Sequence, residues 1–295
     1  MIDTTPPRVA SLTADVDALV TRYAPIVVRW MAGLLWLSNV SWKVPTAFGE
    51  SGDRCGGLCG YVNDGIDHPV FPGSGALFEN LVEPNLAAFG WLTLFVEGSL
   101  AAMLLAGVFV RFAGVLGIAQ SLGIMASVAN TDGEWYWSYL LMAGLHVAVL
   151  VIAPTARPLT LRATAISVAF YGALVSLTHV GEGLTGTKFT IFDDGDKFPG
   201  DFWKNVFPGS IALGLVFVAL GVALYAGRVA VAGRANFVGA GFVAVASALL
   251  VSYDSDGLAI GLGARASSAA ALAAAGLALL ALGRAVPALA RPGAR

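Results

Sequence analysis

The chain has 295 residues, 57% of them hydrophobic and 12% charged, with a formal net charge of −2 and a mean hydropathy of +0.76. A soluble domain carries about 25% charged residues, so this composition excludes an ordinary water-soluble globule and indicates a polytopic membrane protein. The near-zero net charge gives no electrostatic footprint for nucleic acid, and two cysteines are too few for a disulfide framework.

Residues 1–23 read as a cytoplasmic lead-in, polar and without an early basic cluster. Within them, 9–20 fits either a short amphipathic helix on the membrane surface or a frayed terminus. Eight apolar runs of spanning length follow, at about 20 residues per crossing: 24–42, 87–109, 112–130, 136–154, 160–179, 208–227, 235–253 and 267–287. Only Val110 and Arg111 separate the second run from the third, which makes a tight helical hairpin. The expected class is therefore an all-α integral membrane fold of about eight helices.

The loops orient it. Arg111, Arg157, Arg162, Arg228, Arg234, Arg284, Arg291 and Arg295 fall on one side. Acids collect on the other, among them Glu50, Asp64, Glu83, Glu134, Asp193, Asp201 and Asp254, with Lys188, Lys197 and Lys204 beside them. The positive-inside rule then puts both termini in the cytoplasm and the long loops 43–86 and 180–207 outside. Trp135, Tyr136, Trp137 and Tyr139 fit an aromatic belt at the outer interface.

The two halves echo one another. Leu37-Ser38-Asn39-Val40-Ser41 aligns with Leu177-Thr178-His179-Val180-Gly181. Phe71-Pro72-Gly73, followed by Phe78, Val82 and Pro84, aligns with Phe198-Pro199-Gly200, followed by Phe202, Val206 and Pro208. Two four-helix units in parallel orientation account for this, because four crossings return the chain to its starting side.

Polar groups at membrane depth are the candidate site. Glu97 sits near the middle of the second run, where a carboxylate costs about 2.5–3.5 kcal/mol on insertion scales. Gln120 and His146 fall at similar depth in the third and fourth runs. Arg29, Trp36 and Lys43 recur at seven-residue spacing and share one face of the first helix, with Asn39 and Trp42 near its outer end. Glu97 paired with His146 would form a proton relay of the kind used when a quinone is reduced or oxidised. The competing reading has these groups satisfying one another and fixing helix packing, with Arg29 and Lys43 snorkelling to the two interfaces.

Cys55-Gly-Gly-Leu-Cys59 lies in the outer loop and departs from the C-x-x-C redox spacing. A disulfide clamp suits an oxidising exterior; a reactive dithiol facing a sulfur substrate is the alternative. No metal site is expected, since His68 is the nearest histidine and has no companion ligand pair. Asp193-Asp194-Gly195-Asp196 lacks the remaining ligands of a calcium loop and reads as solvated. There is no haem-ligand pair at matching depth, no dinucleotide fingerprint and no iron–sulfur cysteine set.

Several of these residues carry a resemblance. Arg29, Gly33 and Lys43 in the first helix, Val82-Glu83-Pro84-Asn85 with Phe89-Gly90 at the entry to the second, and Glu97, Gly98, Leu104, Gly107 and Arg111 along it resemble the DoxX/DoxD family, which takes in the small membrane subunit of thiosulfate:quinone oxidoreductase. The resemblance covers about residues 24–155, a DoxX-like four-helix bundle, and leaves 156–295 as a second, degenerate repeat without the Glu and Arg of the hairpin. It implies a subunit of a quinone-linked oxidoreductase complex in a prokaryotic plasma membrane. Glu97 and His146 would be its catalytic groups, and Arg29, Asn39, Trp42, Lys43, Gln120 and Arg111 would line a quinone site. The alternative is a non-catalytic anchor or assembly subunit of a respiratory or envelope complex.

Overall fold

The computed structural model describes residues 7–40, 42–43, 47–51, 54–153, 161–183, 211–226, 232–251 and 266–289. Each of the eight apolar runs falls on a helix. They are α1 (Pro7–Val40), α4 (Leu86–Ala106), α5 (Val110–Val128), α6 (Tyr136–Val151), α7 (Leu161–Gly183), α8 (Ile211–Tyr225), α9 (Ala232–Val251) and α10 (Ala266–Leu289). Among the described residues three helical stretches are long and apolar enough to cross a membrane: Ala14–Val40, Ser74–Ala106 and Val110–Val128. The other apolar stretches, such as Tyr136–Val151 and Leu213–Tyr225, are shorter.

The helix α1 differs from the sequence expectation. The lead-in does not end where the first apolar run begins: one helix runs from Pro7 through Pro25 to Val40. Pro25 removes one backbone hydrogen bond, yet the helix continues through it. Loop 43–86 carries structure of its own. A two-residue hairpin, β1 (Glu50–Ser51) with β2 (Arg54–Cys55), leads into α2 (Gly57–Asp67) and α3 (Ser74–Leu77). A π-helical turn at Phe78–Val82 and a 3₁₀ turn at Glu83–Asn85 then pass into α4. The Cys55–Cys59 disulfide staples the hairpin to the first turn of α2. Closing so short a loop stabilises by about 2 kcal/mol in the chain-entropy account.

This cap has its own core, which includes Phe48, Leu58, Cys59, Val62, Phe78, Leu86 and Leu94. Phe48 is fully buried over Gly90, where a Cβ would come 2.4 Å from its ring. The turn that aims Phe48 depends on Gly49, at φ +99°, a conformation that few side chains tolerate.

The main core joins both halves of the chain. Trp36 and Leu37 of α1, Leu100, Ala101 and Leu104 of α4, and Val149 of α6 meet Ala269–Leu272 of α10. In the second half, α7 packs on α8 and α9 on α10 through bare glycines. A Cβ on Gly172 would come 2.5 Å from the Gly214 carbonyl, and one on Gly239 would come 2.8 Å from the Gly276 carbonyl. Small residues at such crossings are how helices approach closely in an apolar surround. Large apolar chains point outward all along the bundle, Phe95, Phe112, Leu141, Val151 and Phe170 among them.

The acidic run 193–196 and the second-half loop echo at 198–208 lie outside the described residues, as do residues 1–6.

Candidate functional site

Glu97 lies eleven residues into α4, about 16 Å along the helix from Leu86. It is fully buried. The helix brings it level with the C-terminal end of α1, whose last turn carries Asn39 and hands the chain on to Lys43. Lys43 does not snorkel outward. It turns in beneath the cap at 3% exposure, and its Nζ stands 2.7 Å from Glu97 Oε2. The geometry is that of an ion pair and not of an aligned hydrogen bond. Lys43 Nζ also donates to the Asn39 carbonyl at 2.9 Å and to Asn39 Oδ1 at 3.4 Å, so the ammonium has two hydrogen-bond acceptors beside its ion-pair partner. It lies 3.9 Å from the centre of the Trp42 ring, a cation–π contact. Trp42 Nε1 donates in turn to Asn39 Oδ1 at 3.2 Å.

From α5, Gln120 Nε2 donates to Glu97 Oε1 at 3.2 Å. Five of the residues singled out from the sequence therefore converge: Glu97, Lys43, Gln120, Asn39 and Trp42. A buried charge pair of this kind survives only because each charge is held by further hydrogen bonds.

His146 is not the partner of Glu97 that the sequence suggested. It is fully buried on α6, and its Nε2 accepts from Trp36 Nε1 at 2.7 Å. Its Nδ1 stands 2.7 Å from the Met142 carbonyl and so donates, which makes it a neutral imidazole with the proton on Nδ1. The reason is local. Gly117 on α5 leaves a notch into which the ring seats, and a Cβ there would come 1.9 Å from His146 Cδ2. Gly117 and Gln120 are one turn apart on α5, and Trp36 and Asn39 one turn apart on α1. The two polar pairs are thus stacked layers of one core, the charged layer nearer the cap than the neutral one.

Arg29 and Arg111 are not part of this cluster. Arg29 lies ten residues before Asn39 on α1 and Arg111 nine before Gln120 on α5, about 14–15 Å along each axis. They line a cleft at the other end of the bundle with Gly107 and Phe112.

A second polar cluster tethers the cap and was not anticipated. Glu134, just before α6, accepts from Tyr61 on α2 at 3.0 Å and also from Tyr139. Burial and the Glu134 carboxylate push the Tyr61 hydroxyl up to about 12. Nothing in the sequence joined Tyr61 to Glu134, 73 positions apart. Among the described residues no group of three or more His, Cys, Asp or Glu is placed to hold a metal ion.

No protein-family model, no curated protein and no solved structure matches this chain.

Proposed function

We propose that the chain is a multi-pass subunit of a quinone-linked oxidoreductase complex in a prokaryotic plasma membrane, of the kind the DoxX/DoxD resemblance implies. It crosses the membrane eight times as two parallel four-helix repeats, with both termini in the cytoplasm. Outward-facing Phe95, Phe112, Leu141 and Phe170 favour a lipid surround. Helix pairing favours the repeat: in the first half α1 packs on α4 and α5 on α6, and in the second α7 packs on α8 and α9 on α10.

The observation that carries the redox reading is the Lys43–Glu97–Gln120 cluster, a buried carboxylate and ammonium with an amide beside them under a stapled cap. A quinone is the substrate that needs such groups, because taking up two electrons obliges it to take up two protons. Gln120 has two amide N–H groups and directs one to Glu97, which leaves the other for a quinone carbonyl. Glu97 is the proton-exchanging group and Lys43 holds its charge. The electrons come from a cofactor-bearing partner subunit on the outer side.

One observation favours the second reading, a non-catalytic anchor or assembly subunit. Lys43 and Glu97 already satisfy one another, as a purely structural pair would. Gentle purification from the native membrane, with proteins identified by mass spectrometry and quinones by extraction, separates the two. The redox reading expects a stoichiometric redox partner and a quinone with the wild-type chain. It further expects loss of the quinone, with the partner retained, in Lys43→Met/Glu97→Met, which removes both charges together. A partner without quinone in the wild type makes the protein an anchor.

A further inference from the structure

The two arginines left over from the charged cluster share a site of their own. The cleft at the α4–α5 turn has a volume of about 430 Å³ and is lined by Arg29, Gly107, Phe109, Arg111, Phe112 and Ala153 among others, with no acid among the described residues that line it. Arg29 enters from α1 and Arg111 from the first turn of α5. Gly107 ends α4 at φ +74°, and its bare Cα lies against the Arg29 guanidinium, where a Cβ would come 2.3 Å from Nη1. That glycine is required twice, by its backbone angle and by the arginine over it. Arg29 Nε is buried and has no hydrogen-bond partner among the described residues. A buried donor left unmet costs about 1–3 kcal/mol, so this arrangement suits an acceptor brought from outside.

We propose that this cleft binds the phosphate of an anionic phospholipid headgroup. Guanidinium groups grip phosphate oxygens through paired N–H bonds, and two of them here face no carboxylate in the cleft. Phe109, at 71% exposure, and Phe112, at 60%, flank the opening. Exposed apolar rings here offer a surface for hydrocarbon, so the acyl chains of a bound lipid run along Phe112 and the outward face of α5. The N-cap of α5 carries no capping side chain, and its first-turn N–H groups add to the positive potential. By the distribution of arginines the cleft opens on the cytoplasmic side, where anionic lipid is read by basic pockets between helices. The inference rests on the membrane-spanning reading above and is independent of the quinone reading.

The experiment uses the full chain in mixed micelles of equal phosphatidylglycerol and phosphatidylcholine, with retained lipid counted by native mass spectrometry. Preferential retention of phosphatidylglycerol is expected, falling about five-fold in Arg29→Gln and again in Arg111→Gln, from roughly 1 kcal/mol per basic residue. Because Arg29 is half-buried and its variant could misfold, the exposed Arg111→Gln carries the test if Arg29→Gln is lost. Equal retention of both lipids by the wild type overturns the proposal, as does an Arg111→Gln chain that keeps its preference. Glycerol 3-phosphate serves as the soluble probe. If it binds the delipidated chain with arginine dependence while phosphatidylglycerol is not retained, the site takes free phosphate esters and the lipid assignment falls. Whether detergent, and not salt or alkali, is needed for extraction tests the membrane reading separately.

Discussion

The Lys43–Glu97 pair gives the most quantitative test of how this core is held. At 2.7 Å and an effective dielectric of about 20, the Coulomb attraction is about 6 kcal/mol, set against the cost of bringing both charges out of water. Glu97→Met leaves a buried ammonium and Lys43→Met a buried carboxylate. Stranding one member of such a pair costs about 3–5 kcal/mol. The double change leaves two unbranched apolar chains of similar size in a dry site, and replacements of that kind run from neutral to a few kcal/mol stabilising. Melting followed by tryptophan fluorescence in detergent reads all four proteins, with Trp36 and Trp42 as reporters beside the site. A chain of this size shifts by about 2 °C per kcal/mol, so each single variant should melt about 6–10 °C lower and the double should return to within a few degrees of wild type. Single variants within about 1 °C of wild type, or a double as unstable as their sum, would refute the claim that the two charges are buried against each other.

Two further outcomes follow from the neighbouring layers. Gly117→Ala should destabilise by about 1–3 kcal/mol through overpacking, because its Cβ meets a His146 ring already fixed by Trp36 and Met142. Gly123→Ala on the same helix has nothing within 4 Å and should be neutral or up to about 1 kcal/mol stabilising; thermal melts showing equal effects would sink the notch. The Tyr61 hydroxyl, raised from 10.0 to about 12, contributes stability that is fully present below pH 10 and lost as pH rises toward 12. Wild-type Tm should therefore fall more steeply over that window than that of Tyr61→Phe, and parallel curves would argue against the Glu134 tether.

Helix positions were legible because spanning runs are set by local composition: a stretch of some twenty apolar residues must satisfy its own backbone, whatever it packs against. Glu97 stood out for the same reason, as a charge out of place within one run, and Gln120 and His146 were read with it as polar groups at similar depth. The cap was less legible. Loop 43–86 looks like turn sequence, and only the burial of Phe48 against Gly90, with the Cys55–Cys59 bond, makes it a lid.

Partners were not legible at all. Lys43 at the end of an apolar run is equally good as a snorkelling residue, and only the return of α4, 54 positions later, supplies the carboxylate that turns it inward. His146 meets Trp36 across 110 positions because Gly117 opens a notch for the ring. Arg29 and Arg111 were joined to the quinone site through the family resemblance, but rise along the helices carries them to the far end of the bundle. The sequence by itself determined which segments are helices and which residue is anomalous, since both are properties of single stretches. The tertiary structure alone decided which polar groups meet, since that depends on which helix faces come into register.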